Sequence, residues 1–78
     1  MPRITGRIVD DHNNPVENAT ITIPTAGVFA LSDDRGNFEI ENVSPGDHMI
    51  FVVHRNFQKF EADLSMIDDL FVSFELDR

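Results

Sequence analysis

The chain of 78 residues contains no cysteine, no tryptophan and no tyrosine, and Lys59 is its only lysine. Without cysteine there is no disulfide, no thiolate metal site and no cysteine nucleophile. That absence leaves the compartment open, since many periplasmic domains lack disulfides too. The arginines are scattered, so no basic patch can be assembled, and the formal net charge is −8. Such a surface repels a phosphate backbone, which argues against nucleic acid as a partner. Tryptophan and tyrosine are the usual sugar-stacking side chains, and their absence counts against carbohydrate binding. A membrane span needs a run of about 20 apolar residues; the longest run here is Met49–Val53. No stretch sustains helical spacing. Met1-Pro2-Arg3 leads directly into apolar alternation, so we read no signal peptide. Either the protein is cytoplasmic, or the chain is a piece of a longer, exported one.

What is present is short alternation. Residues 3–10 alternate and are rich in β-branched side chains, which predicts a first strand. Asp11-His12-Asn13-Asn14-Pro15 is a turn cluster. A second strand is predicted over 18–23, with Ala19, Ile21 and Ile23 facing the core and Thr20 and Thr22 facing water. Pro24-Thr25-Ala26-Gly27 turns the chain into a third strand at 28–32, and a fourth spans 37–42. The fifth, 47–54, is apolar on both faces. His48, Ile50 and Val52 share one side; Met49, Phe51 and Val53 share the other. A sixth is predicted over 57–64, with Phe57 and Phe60 on opposite faces. Residues 65–69 form a connection. The last strand, 70–76, puts Leu70, Val72, Phe74 and Leu76 on one face and Phe71 on the other. Seven short strands with regular turn signals predict an all-β sandwich, a single domain over residues 1–78. Its expected core is Ile4, Ile8, Ala19, Ile21, Ile23, Phe38, Ile40, Val43, Ile50, Val52, Phe57, Val72 and Phe74.

The turn between the third and fourth strands is the sharpest local signal. Asp33 can accept backbone N–H bonds inside the loop, as an Asx turn does. Gly36 can take positive φ without a Cβ clash, which suits a short hairpin loop. Pro45-Gly46 closes the unit after Val43.

None of these features carries catalysis. Asp33-Asp34-Arg35-Gly36-Asn37 faintly resembles a calcium loop, but the spacing fits no EF-hand and an Asx-stabilised turn explains it. Asp10-Asp11 with Asn13-Asn14 is a second oxygen-rich loop and a candidate for a weak cation site. His12, His48 and His54 raise the question of a transition metal. His48 and His54 share a strand face yet lie about 20 Å apart at strand rise, too far to bind one ion. Ser32, Ser44, Ser65 and Ser73 lack the context of an activated nucleophile. Asn18-Ala19-Thr20 and Asn42-Val43-Ser44 match a glycosylation pattern, though both asparagines have turn roles already. We assign no catalytic residue, no cofactor and no metal ligand.

Together the motifs have a family pattern. Gly6-x-Ile8-x-Asp10, Pro15-Val16-x-Asn18-Ala19-x-Ile21-x-Ile23, Ser32-Asp33-x-x-Gly36-x-Phe38-x-Ile40, Val43-x-Pro45-Gly46-x-His48 and Asn56-Phe57 follow one another in order. This set resembles the carboxypeptidase regulatory-like domain over nearly the whole chain. The resemblance implies a prealbumin-like (transthyretin-like) Greek-key sandwich of seven strands, antiparallel or mixed. Asn18 and Asn56 stand where the family usually has glycine, and asparagine tolerates positive φ best among the other residues. His48 stands for a usual tyrosine, and Ser32 for a threonine whose hydroxyl it keeps. Such domains accompany metallocarboxypeptidases, precede the plug of TonB-dependent outer-membrane receptors and recur in surface proteins, as folding aids, spacers or interaction modules. The hydroxyisourate hydrolases share the fold but carry a Tyr-Arg-Gly-Ser signature and paired histidines, which this chain lacks.

The resemblance therefore implies a non-catalytic module at the periplasm or cell surface. The alternative is a free-standing, self-associating cytoplasmic protein. Its partner would be a neighbouring domain of a parent chain, or a second copy. A two-layer sandwich needs only one apolar face per sheet. Met49, Phe51 and Val53, with Phe60 and Phe71 beside them, are thus a candidate interaction face. The competing reading is that a loop such as 65–69 covers them.

Overall fold

Side chains alternate between core and solvent along the strands of the computed structural model, which describes residues 2–78. The reading of a missing leader begins at Met1, which lies outside the described residues. The strands are β1 (Ile4–Asp10), β2 (Thr20–Ile23), β3 (Val28–Leu31), β4 (Asn37–Ile40), β5 (Gly46–Val53), β6 (Phe60–Met66) and β7 (Leu70–Leu76). They form a three-stranded sheet, β4-β1-β7, and a four-stranded sheet, β3-β2-β5-β6. β1 runs antiparallel to β4 and parallel to β7; the pairs of the other sheet are all antiparallel. The result is a mixed, seven-stranded β-sandwich. Among the described residues there is no helix, and so none long and apolar enough to cross a membrane.

The inner faces meet in one core. Ile4, Ile8, Phe38, Ile40, Phe74 and Leu76 come from the three-stranded sheet; Ile21, Ile23, Ile50, Val52, Leu64 and Met66 come from the other. Val16, Ala19 and Val43 enter from the loops. Burying one such isoleucine stabilises the fold by roughly 1.5–3 kcal/mol. Gly6 sits in mid-sheet opposite Phe38. A Cβ there would meet the Phe38 ring and the Val72 carbonyl, so the missing side chain makes room for that ring. Phe38 in turn lies nearly parallel to Phe74, with ring centroids 6.5 Å apart.

Loop carboxylates and hydroxyls replace ladder hydrogen bonds where the chain turns. Asp33 Oδ1 accepts from the amides of Arg35 and Asn37, both at 2.9 Å. Gly36, at φ 78°, donates its amide to the Asp33 carbonyl at 2.9 Å. A Cβ at Gly36 would strike the Ile8 carbonyl, because the turn tip rests on β1. Ser32 is buried; its hydroxyl donates to the Val16 carbonyl at 2.7 Å and accepts from the Ala19 amide at 2.9 Å. It thereby pins the segment before β2 to the end of β3. Pro45 precedes Gly46, which opens β5 at φ 124°.

Four expectations are corrected. The sixth strand, read over 57–64, runs from Phe60 to Met66. Phe57 instead closes a turn, donating its amide to the His54 carbonyl at 3.1 Å, and the Gln58 amide bonds the Asp77 carbonyl at 2.7 Å. Met66, read as connection, is therefore a buried core residue. Phe57 and Val72 are half-buried against the core rather than within it, while Val16, Leu64 and Leu76 join it. Asn18 does take positive φ, as do Asn13 and Asn42, but Asn56 is not among the positive-φ residues.

Candidate interaction face

The outer face of the four-stranded sheet follows from register alone. β2 and β3 form a hairpin that sets Thr22 opposite Phe29 and Thr20 opposite Leu31. β5 then places Phe51 beside Thr22 and Val53 beside Thr20. β6 sets Glu61 opposite Phe51 and Asp63 opposite Met49. Directly paired residues point to the same side of a sheet. One row therefore reads Phe29, Thr22, Phe51, Glu61, and the next reads Leu31, Thr20, Val53. Phe29 is 70% exposed, Leu31 56% and Val53 48%; Met49 and Phe51 are half-buried. The Lys59 ammonium sits 4.7 Å above the Phe51 ring and 3.9 Å from Glu61.

The five residues expected to form one face are dispersed. Met49, Phe51 and Val53 are together. Phe60 pairs with Val52, so it points inward, and its ring lies 4.8 Å from that of Phe74. Phe71 belongs to the other sheet, where it is exposed beside Thr5. The segment 65–69 does not cover the face: Met66 is in the core and Ile67 projects into solvent. Phe29 and Leu31 were missed. Thr20 and Thr22 already read as outward, and a hairpin through Pro24–Gly27 carries that assignment across to Phe29 and Leu31. The turn residues Asp33, Gly36 and Pro45 lie outside this face.

Elsewhere the polar candidates are engaged in holding the fold. His48 is buried at the start of β5. Its Nε2 donates to the Ser44 carbonyl at 2.7 Å, which leaves Nδ1 to accept from the Thr25 hydroxyl at 2.5 Å. Nε2 therefore has no lone pair to offer the Ser44 hydroxyl at 3.5 Å. The amides of Ala26 and Gly27, next to Thr25, both donate to the Ile23 carbonyl, so neither is free to hold an oxyanion. His54 Nε2 bonds the Glu17 carbonyl at 3.1 Å, and its Nδ1 accepts from the Asn56 amide. Asp10 Oδ1 accepts from the His12 and Asn14 amides at 2.8 and 2.9 Å, and Oδ2 lies 3.6 Å from Arg78. The Asn14 amide holds the Asp10 carboxyl below the usual carboxylate range against the opposing effect of burial, helped by the His12 amide and the charges of His12 and Arg78. Among the described residues no group of three or more His, Cys, Asp or Glu is placed to hold a metal ion.

The chain matches the family model of the carboxypeptidase regulatory-like domain over residues 3–76. No curated protein matches it. Among solved structures, a chain of a type II cohesin–X-dockerin complex from Acetivibrio cellulolyticus superposes with a TM-score of 0.87, at 21% identity, over 97% of this chain. The chain spans only 57% of that one's length. The Caf1A usher C-terminal domain superposes with a TM-score of 0.64, at 15% identity, over 97% of this chain and 99% of its own. That domain is described as carrying conserved hydrophobic clusters on its surface that are important for F1 antigen assembly. At these identities the likeness is one of fold.

Proposed function

Since the chain belongs to the carboxypeptidase regulatory-like domain family, we propose that it is a non-catalytic protein-interaction module of a larger exported or cell-surface protein. It docks through the outer face of its four-stranded sheet. The observation that carries this reading is the exposure on that face of Phe29 and Leu31 along β3, with Val53 across Thr20 from Leu31. The core closes without them, and contiguous exposed apolar surface marks interaction sites. The usher domain offers a parallel, a related sandwich in which hydrophobic surface clusters matter for assembly. The non-catalytic part is supported by the engaged His48 and by the occupied amides beside Thr25. The location is inferred from the company such domains keep.

Blotting source cells with an antibody to the domain tests the parent chain. A band well above 8.8 kDa in the envelope fraction is expected; a free band at that mass overturns the larger-chain reading. Oxidative footprinting tests the face. Met49, Phe29 and Phe51 should label faster in the isolated domain than in the native-length product. Equal labelling rejects docking through this sheet.

A further inference from the structure

The face is chemically lopsided, and its asymmetry selects a partner; this step rests on the docking reading above. On β3 itself the outward side chains, Phe29 and Leu31, are uncharged, though Glu39 and Glu41 line the hollow beside Phe29. At the β6 edge Glu61 and Asp63 point outward, and Asp47 on β5 continues the line opposite Ser65. Lys59 is the only lysine of the chain, and it already lies on Phe51 and beside Glu61.

Size decides between a free and a tethered partner. Strands about 4.8 Å apart and rows spanning about 13 Å give a face on the order of 300 Å². A free-standing complex buries about 800 Å² per partner. Two copies, each of net charge −8, would also repel one another on approach. A small face suffices when a linker holds the partner at an effective concentration of about millimolar. Contacts between domains of one chain begin at about 600 Å² in total.

We propose that the occupant is an adjoining domain of the same polypeptide. It sets apolar side chains against Phe29, Leu31 and Phe51, and lysine or arginine side chains against the ridge of Asp47, Glu61 and Asp63. An arriving cation takes the place of Lys59 at Glu61 and uncovers the Phe51 ring.

The test uses the native-length gene product, unmodified and as the double variant Glu61→Lys/Asp63→Lys. Both changes are on exposed positions, and a thermal melt of the isolated variant domain checks that it folds. In the unmodified product Met49 and Phe51 should be protected from oxidation, and high salt should weaken that protection. The double variant should return labelling to the isolated-domain rate. Protection that survives both charge reversal and high salt overturns the basic partner but leaves docking standing. Full labelling of the unmodified product overturns both. An isolated domain that sediments as a dimer with Met49 protected makes a second copy the occupant and overturns the tethered one.

Discussion

The two sheets of this sandwich solve the same problem inward and opposite problems outward. On the three-stranded sheet the outward rows are Glu39–Thr5–Phe71 and Asn37–Arg7–Ser73. They are polar apart from Phe71, and a lone exposed aromatic is ordinary. Val9 also points outward there, but the loop folds Pro15 across to bridge it, and it is buried. The four-stranded sheet has the same alternation and the same kind of core beneath it, yet its outward rows mix threonine and glutamate with Phe29, Phe51, Leu31 and Val53. Nothing in the shared architecture requires that. Forming a strand needs β-branched or aromatic residues only in part, and the polar sheet shows that threonine, arginine and glutamate suffice on a wet face. The exposed Phe29, Leu31 and Val53 are therefore not required by the fold.

Substitutions at the inner and outer positions should separate sharply. Phe38→Ala removes the ring that covers Gly6 and stacks on Phe74. A drop of about 3–5 kcal/mol in urea unfolding is expected. Gly36→Ala tests the turn that hands the chain to the polar sheet. Positive φ and the collision with the Ile8 carbonyl should cost at least roughly 1–3 kcal/mol, read in the same assay. Phe29→Glu, on the outer apolar face, should stay within about 0.5 kcal/mol of the parent. A loss as large as that of Phe38→Ala would make Phe29 part of the core and dissolve the contrast between the faces.

The finest probe is pH, because the comparison holds only while the sandwich is whole. Asp10 is lowered in the folded state, first by the Asn14 amide. A carboxylate lowered on folding stabilises above its unfolded pKa of about 3.9, and that contribution fades as pH falls through the folded value. Asp10→Asn should therefore unfold at lower urea than the parent at neutral pH. The gap should narrow in acid below that range. A gap independent of pH would assign the loss to packing instead.

Most of the fold was legible because it is written in period two. Ile21, Ile23, Ile50 and Val52 announce their faces within their own strands, and Asp33 with Gly36 announces its turn. The face was harder, because a sheet surface belongs to several strands at once. Met49, Phe51 and Val53 were visible along one strand. Phe29 and Leu31 needed the pairing of β3 with β2, and Phe71 needed the knowledge that β7 crosses to the other sheet. Phe60 failed for a different reason. The sixth strand reads as more polar, it begins at Phe60 rather than Phe57, and only the pairing with Val52 fixes which way Phe60 points.

The parallel pairing of β1 with β7 has a mechanical consequence. Ile4 lies beside Leu70 and Asp10 beside Leu76, so the chain enters at one end of this pair and leaves at the other. The body is 32 Å along its longest axis. Tension drawn through the backbone from Ile4 and Leu76 would load the whole β1–β7 ladder in shear. Its hydrogen bonds would have to rupture together, where a hairpin pulled from its open end would unzip one bond at a time. A domain strung into a longer chain in this way would behave as a stiff link, resisting extension through a ladder on the sheet opposite the exposed apolar face.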